Sequence, residues 1–268
     1  MKIGIIGLGL IGGSILKALR EKGFDVVAIT STSSTIEKAK FYTPFVYQEI
    51  EYLKDCDVVF VCVPMKNVLD TLDRLNEVLP ENVIVSDVSS LKAFVTGKEY
   101  NYKFVGTHPM AGTEHSGFDS SFKDLFVGAK WVITKDESTD SSALWTLEHL
   151  IEKMGAQVVY ANALEHDKAV AKISHMPMLL AQALFESVKD DELALKLASS
   201  GFRDMTRLAM SNVDMAQDMI NLNSENINNS LAEVFEHSKK LQENYKEKIS
   251  EIKQQRSEMY DVNGKNTL

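Results

Sequence analysis

The chain has 268 residues, which at roughly 150 residues per domain allows one large domain or two modest ones. Hydrophobic residues make up 44% and charged residues 25%, the mix of an ordinary globular protein that buries its core without disulfide staples. A formal charge of -9 argues against nucleic-acid binding, which needs a basic face, and with only Cys56 and Cys62 a disulfide framework or Cys-rich zinc site is excluded. No apolar run reaches the ~18 residues of a membrane span. The first residues lack the basic stretch and cleavage site of a signal peptide, so the expectation is a cytoplasmic protein with no membrane partner.

Short apolar runs at 3–6, 26–29, 58–63, 83–85, 104–105, 131–133 and 158–160 predict strands. Amphipathic stretches such as 11–20 and 68–78 predict helices between them. Strands alternating with helices of that size read as βαβ units, and unbroken apolar runs fit strands covered on both faces. A doubly wound, mostly parallel α/β domain over residues 1–160 is expected.

The first turn carries Gly7-Leu8-Gly9-Leu10-Ile11-Gly12 between the first strand and the first helix. A bare glycine pattern is weak, but strand before, helix after and a second strand at 26–29 give it the context of a dinucleotide site. Gly7 permits the tight turn, Gly9 lets backbone approach a pyrophosphate, and Gly12 lets helix and strand pack closely. The helix N-terminus then offers free N–H groups to phosphate. Val63 and Pro64, where the third run ends, are counted with this site. After the second strand an acidic residue is expected to hold the ribose of NAD. Here Thr30-Ser31-Thr32-Ser33-Ser34 stands instead. Nothing in it repels a 2′-phosphate, yet no Arg lies in the stretch, so NAD and NADP both stay open. The loop also suits the capping of the next helix.

From residue 161 to 268 no strand pattern remains, and a helical domain is expected. Its segments are 163–188, 190–199, 203–210, 214–222 and 224–258, followed by a disordered tail from Asp261. Apolar positions Ile227, Leu231, Val234, Phe235, Leu241, Tyr245, Ile249 and Ile252 keep a three-four spacing along the last helix. A helix that long needs a partner surface.

Five motifs in order carry the chemistry. They are Asp87-Val88-Ser89-Ser90-Leu91-Lys92, the stretch from Gly106 through His108-Pro109-Met110-Ala111-Gly112-Thr113 to Gly117, Glu165-His166-Asp167, Ser174-His175-Met176-Pro177, and Gly201 to Arg207. Together they resemble the prephenate/arogenate dehydrogenase family of tyrosine biosynthesis, over residues 1 to about 255. The resemblance implies a Rossmann-type domain followed by an all-helical dimerisation domain. It implies NAD(P)+-dependent oxidation of a ring carbinol with loss of the ring carboxylate as CO₂. Prephenate and arogenate differ only as ketone and amine, and both remain open as substrate. His108 matches the family's catalytic His, and a neutral imidazole suits the removal of a hydroxyl proton. Ser90 matches the Ser that hydrogen-bonds the same hydroxyl, with Ser89 as the neighbouring alternative. Arg207 matches the family's substrate-binding Arg.

The substrate carries two carboxylates, so cations are expected at the site. Arg203 and Arg207 are spaced i, i+4 and are expected on one helix face, where guanidinium forks suit carboxylates. A solvated pair of Arg203 with Asp204 is the plainer alternative. Thr113 and His175 complete the expected substrate contacts, with His175 facing the cleft and His166 a domain-packing residue. No metal site is expected. The nine-residue interval from His166 to His175 is about two and a half helical turns, which sets the rings on opposite faces. Two departures from the family pattern stand out: Met178 where a second His is common, and Ala216 where a Trp is common.

Two other readings compete. A 3-hydroxyacid-type dehydrogenase shares the domain plan but lacks the stretch from His108 to Gly117. A redox-sensing nucleotide module has no use for a proton acceptor beside the nicotinamide. A homodimer through the long C-terminal helix is expected, because its apolar stripe exceeds what a soluble monomer leaves in water.

Overall fold

A computed structural model describes residues 1–113 and 115–260. Glu114 and the tail from Asp261, for which disorder was expected, lie outside the described residues. The first half runs β1 (Lys2–Ile6), α1 (Leu10–Glu21), β2 (Asp25–Ile29), α2 (Ser33–Ala39), β3 (Val46–Tyr47), β4 (Val58–Val61), α3 (Val68–Val78), β5 (Ile84–Asp87), β6 (Lys103–Phe104), β7 (Thr107–Pro109), β8 (Lys130–Thr134), α4 (Ser141–Lys153) and β9 (Gln157–Ala161). Six strands form one parallel sheet in the order β3-β2-β1-β4-β5-β6. Burial explains the composition: every residue of β4 is enclosed, with Val58 and Phe60 in one apolar cluster and Val59 and Val61 in the other. The strand order reverses between β1 and β4, and open α/β sheets bind ligands in that crevice.

The single mostly parallel sheet expected from the apolar runs is divided in two. Strands β7, β8 and β9 form a separate three-stranded sheet in which β7 runs antiparallel to β8 and β9 parallel to it. His108, outside the predicted strands, lies within β7 opposite Val132. The chain crosses from one sheet to the other at Gly106, where a Cβ would approach Thr134 Oγ1 to 2.7 Å. The carbonyl of Gly106 accepts from Thr134 N–H at 2.9 Å.

The second half is helical: α5 (Ala163–Val170), α6 (Met176–Glu186), α7 (Glu192–Leu197), α8 (Ser200–Thr206), α9 (Val213–Glu243) and α10 (Tyr245–Met259). A π turn over Ala171–His175 joins α5 to α6. It sits just before Pro177, which has no N–H to give the carbonyl four residues earlier. The break expected at residue 223 is a kink inside α9, where Asn223 has φ -128° and ψ 20°. The helix expected to run unbroken over 224–258 is interrupted at Asn244, with φ -133° and ψ 48°. Asn leaves helical geometry readily because its amide competes for nearby backbone groups. The expected helix 203–210 is also divided. Thr206 Oγ1 bonds back to the Phe202 carbonyl at 2.7 Å, α8 stops there, and Arg207 opens a tighter 3₁₀ turn to Met210.

Candidate active site

The glycine turn builds the floor of a cavity of about 640 Å³ at the sheet's switch point. Gly7 has φ +88°, open to glycine but strained for other residues, and a Cβ on Gly12 would stand 2.0 Å from the Gly7 carbonyl oxygen. A Cβ on Gly9 would meet nothing within 4 Å. The turn thus packs tightly from beneath and stays open above, a cradle that fits a pyrophosphate. Of the expected cofactor residues, Gly7, Leu8, Gly9, Ile11, Thr30, Ser31, Val63 and Pro64 line the cavity. Leu10 opens α1, and Gly12 packs under the turn. Ser89 and Ser90 line the cavity's other side, and Asp214, Met215 and Asp218 of α9 close it from the helical domain.

The two candidate serines differ. Ser89 is fastened to the fold: its N–H donates to Asp87 Oδ2 at 3.0 Å and its hydroxyl contacts Asp87 Oδ2 and the Leu91 carbonyl. Ser90 has no hydrogen bond among the described residues, so its hydroxyl is available to a ligand. Thr113 turns onto its own loop, its Oγ1 accepting from His115 N–H at 3.2 Å.

Behind the serines lies a buried ion pair. Lys92 and Asp87 are both 0% exposed, with Lys92 Nζ 2.5 Å from Asp87 Oδ2. The ammonium also donates to the Thr107 carbonyl at 2.7 Å and lies 3.3 Å from Ser89 Oγ. Burial pulls the Lys92 pKa down, and Asp87 pushes it back up. The pair ties the loop that carries Ser90 to the strand that carries His108.

His166, expected only to pack the domains, is joined to His108. His108 Nδ1 is 2.9 Å from His166 Nε2, and His166 Nδ1 is 2.7 Å from Asp167 Oδ1. Asp167 accepts two further bonds across the domain boundary, from the backbone N–H groups of Lys92 and Ala93, each at 2.8 Å. Asn162 sets this register by capping α5, its Oδ1 accepting from Glu165 N–H at 2.9 Å. The tautomers follow from the partners. A carboxylate only accepts, so His166 carries its proton on Nδ1 and presents Nε2 as an acceptor. His108 therefore donates from Nδ1 and keeps the Nε2 lone pair for a ligand. Burial first, then His166, Lys92 and His175, hold the His108 pKa well below the usual imidazole value. A His with an Asp directly beside it was the available sequence signal; its meaning depends on a contact spanning 58 residues.

His175 is 1% exposed and faces the interior of the helical domain instead of the open cleft. The kink in α9 aims Asn223 Nδ2 at the Asp167 carbonyl, 2.9 Å, and at His175 Nδ1, 3.2 Å. Five of the nine residues form a π turn, which rotates less per residue than an α-helix, so the α-helical count does not apply across the whole interval. His175 and His166 act on each other electrostatically, and burial lowers the His175 pKa to about 4. An unfolded His titrates near 6.5, so the native state resists a proton that the unfolded state takes up. Stability is complete above pH ~6.5 and falls as pH drops toward about 4, by roughly 3 kcal/mol for this residue. His108 shifts in the same direction. Denaturant unfolding between pH 7 and 4.5 should show this loss, and His175→Gln should flatten it; an equally steep loss in the variant would assign the acid sensitivity elsewhere.

The arginines are exposed. Arg203 Nε pairs with Asp204 Oδ1 at 3.2 Å, and α8 gives way to a 3₁₀ turn at Arg207, so the i, i+4 spacing is not carried by one α-helix. Arg207 has no hydrogen bond or ion pair among the described residues, while its neighbour Leu208 packs on the apolar cluster between the domains. Met178 and Ala216, the two departures from the family pattern, meet in that cluster with Met65, Leu91, Val170 and Met219.

A glycine-rich turn at the switch of a parallel sheet, with a helical domain that supplies the partner of a histidine beside it, defines a two-domain dinucleotide-binding protein. Residues 15–160 match the prephenate dehydrogenase nucleotide-binding domain family, and residues 162–259 match the prephenate dehydrogenase dimerization domain family. The chain belongs to the prephenate dehydrogenase family. It is 30% identical over 83% of its length to a prephenate dehydrogenase of Bacillus subtilis, of which it spans 64%. Among solved structures, it is 32% identical to the arogenate dehydrogenase of Synechocystis, with a TM-score of 0.82 over 96% of this chain and 97% of that one. Prephenate dehydrogenase of A. aeolicus, solved with hydroxyphenyl propionate and NAD+, is 29% identical with a TM-score of 0.85 over 96% of this chain and 98% of that one.

Proposed function

We propose that the chain catalyses the NAD(P)+-dependent oxidative decarboxylation of prephenate to 4-hydroxyphenylpyruvate, with arogenate as the alternative substrate. The observation that carries this reading is the line His108–His166–Asp167, which leaves a neutral Nε2 acceptor next to the cofactor cavity. A dinucleotide held by the glycine turn would supply the hydride acceptor. Its site is formed by Gly7 to Gly12, Thr30, Ser31, Val63 and Pro64.

His108 Nε2 accepts the proton of the ring hydroxyl as hydride leaves its carbon, and Ser90 orients that hydroxyl. The resulting ring ketone is an electron sink. The bond to the ring carboxylate breaks, CO₂ departs, and its electron pair enters the ring to give an aromatic phenolate. His108 returns its proton to the phenolate oxygen, so no net proton is released. His166 keeps His108 in the tautomer that this exchange requires. Arg207 stands free to pair with a substrate carboxylate, in the bidentate manner of guanidinium. Arg203, Thr113, Ser89 and His175 are already engaged by the fold and act in support of the pocket.

The division into domains lies near residue 161, and the active unit is a homodimer. Phe235, Tyr245, Ile249 and Ile252 leave an apolar stripe exposed on one chain, which a second copy would cover. No described helix is long and apolar enough to cross a membrane, and a cytoplasmic location fits the reading. Parallel assays with prephenate and arogenate, each with NAD+ and NADP+, test the proposal. Reduced dinucleotide and CO₂ should appear with at least one acid; their absence with both would overturn it.

A further inference from the structure

We infer that the dinucleotide site is built for a 2′-phosphate, so that the chain prefers NADP+ to NAD+, with Arg74 as the cation that reads the phosphate. The inference rests on the dinucleotide reading of the glycine turn and goes beyond it in choosing the cofactor.

The chain leaves β2 at Ile29 and enters the cavity through Thr30, Ser31 and Thr32. The Thr30 N–H is used by the Tyr47 carbonyl at 3.0 Å, which fixes the end of the strand. Beyond it, the hydroxyls of Ser31 and Thr32 are exposed on the cavity wall and have no hydrogen-bond partner among the described residues. An NAD site places a carboxylate here, which accepts from the two ribose hydroxyls and repels a phosphate. No carboxylate occupies this end of the cavity. Glu49, two residues past β3, accepts from the N–H of Gln48 at 3.3 Å and does not line the cavity. The two carboxylates that do line it, Asp214 and Asp218, come from α9 and face Lys66.

The positive element missing from the β2 loop is supplied by α3. Arg74 lines the same cavity as Ser31 and Thr32. It is exposed and makes no hydrogen bond or ion pair among the described residues. The other cation lining the cavity, Lys66, lies 3.9 Å from Asp214. An uncommitted guanidinium and two uncommitted hydroxyls lining one cavity match the oxygens of a phosphate monoester. A bare 2′-hydroxyl would use neither the charge nor the fork.

Calorimetric titration of the intact protein tests this without turnover. NADP+ should bind more tightly than NAD+ by about tenfold to a hundredfold, the worth of one or two hydrogen bonds to a charged group. Adenosine 2′,5′-bisphosphate should likewise bind more tightly than AMP, which places the effect at the 2′ position. Arg74→Ala should weaken NADP+ by at least about tenfold and leave NAD+ within about twofold. Ser31→Asp should reverse the preference. Melting curves check that both surface variants are folded. Equal or tighter binding of NAD+, or an Arg74→Ala loss shared equally by both dinucleotides, would overturn the inference and leave the dinucleotide reading intact. Binding of neither dinucleotide would overturn both.

Discussion

His108→Asn should lower kcat by roughly 10²- to 10⁴-fold, the range for losing a group that moves a proton in the transition state. Asn keeps a polar group in β7 but has no basic nitrogen. Dinucleotide affinity should change little, because His108 is not part of the cavity lining. The wild-type pH profile sharpens the test. His108 must be neutral to accept a proton, and its pKa lies well below 6.5. The acid limb of kcat/KM should therefore fall well below pH 6.5 instead of at it, with activity level through neutrality. His166 acts through His108 as a positioning residue. His166→Phe leaves the buried Nδ1–H of His108 without its acceptor and should cost about tenfold to a hundredfold in kcat. It should also move the acid limb, since His166 helps hold the His108 pKa down. His166→Gln offers an oxygen at a similar reach and should recover part of the rate. An unchanged kcat in His108→Asn would remove it from the chemistry. An unchanged pH profile in His166→Phe would reduce that residue to packing.

The sequence made the nucleotide half legible because its signals are local. An apolar run such as 3–6, a glycine turn and an amphipathic stretch at 11–20 each announce themselves within a dozen residues, and the structure has β1, the turn and α1 there. The division into two sheets was not legible. Whether the strand at 131–133 pairs with β6 or with a three-residue strand around His108 depends on the crossing at Gly106, which no periodicity records. The same limit applied at the site. His108 and Ser90 could be singled out by motif, but the partner that sets the His108 tautomer arrives from another domain. His175, expected at the cleft, is buried against Asn223, a contact spanning 48 residues that no local pattern records. The i, i+4 spacing of Arg203 and Arg207 points to one helix, whereas α8 stops at Thr206 and Arg207 starts a 3₁₀ turn. Local pattern gave the elements; the contacts that give them chemistry are long-range.

Lys92→Met should destabilise the protein by about 3–5 kcal/mol, the cost of leaving one member of a buried ion pair alone. Met nearly matches the Lys stem in volume, so lost packing is a small part of the effect. The variant leaves the Asp87 carboxylate in a site with no access to water, where Oδ1 already has no partner. It also leaves the Thr107 carbonyl without the ammonium that bonds it at 2.7 Å. The remaining donors to Asp87, the Ser89 N–H and hydroxyl, cannot neutralise a charge. Removing both charges should therefore cost less than removing one, and Asp87→Leu combined with Lys92→Met should regain part of the lost stability. Activity should not return with it. Lys92 holds the Thr107 carbonyl next to His108 and steadies the loop of Ser89 and Ser90, so the double variant loses the fixed spacing between the proton acceptor and the orienting hydroxyl. Denaturant unfolding and kcat read the two effects separately. If Lys92→Met unfolds within about 1 kcal/mol of the wild type, the ion pair is not what holds the serine loop and β7 together. If the double variant is folded and fully active, the clamp between β7 and the serine loop is not what sets the geometry of the site.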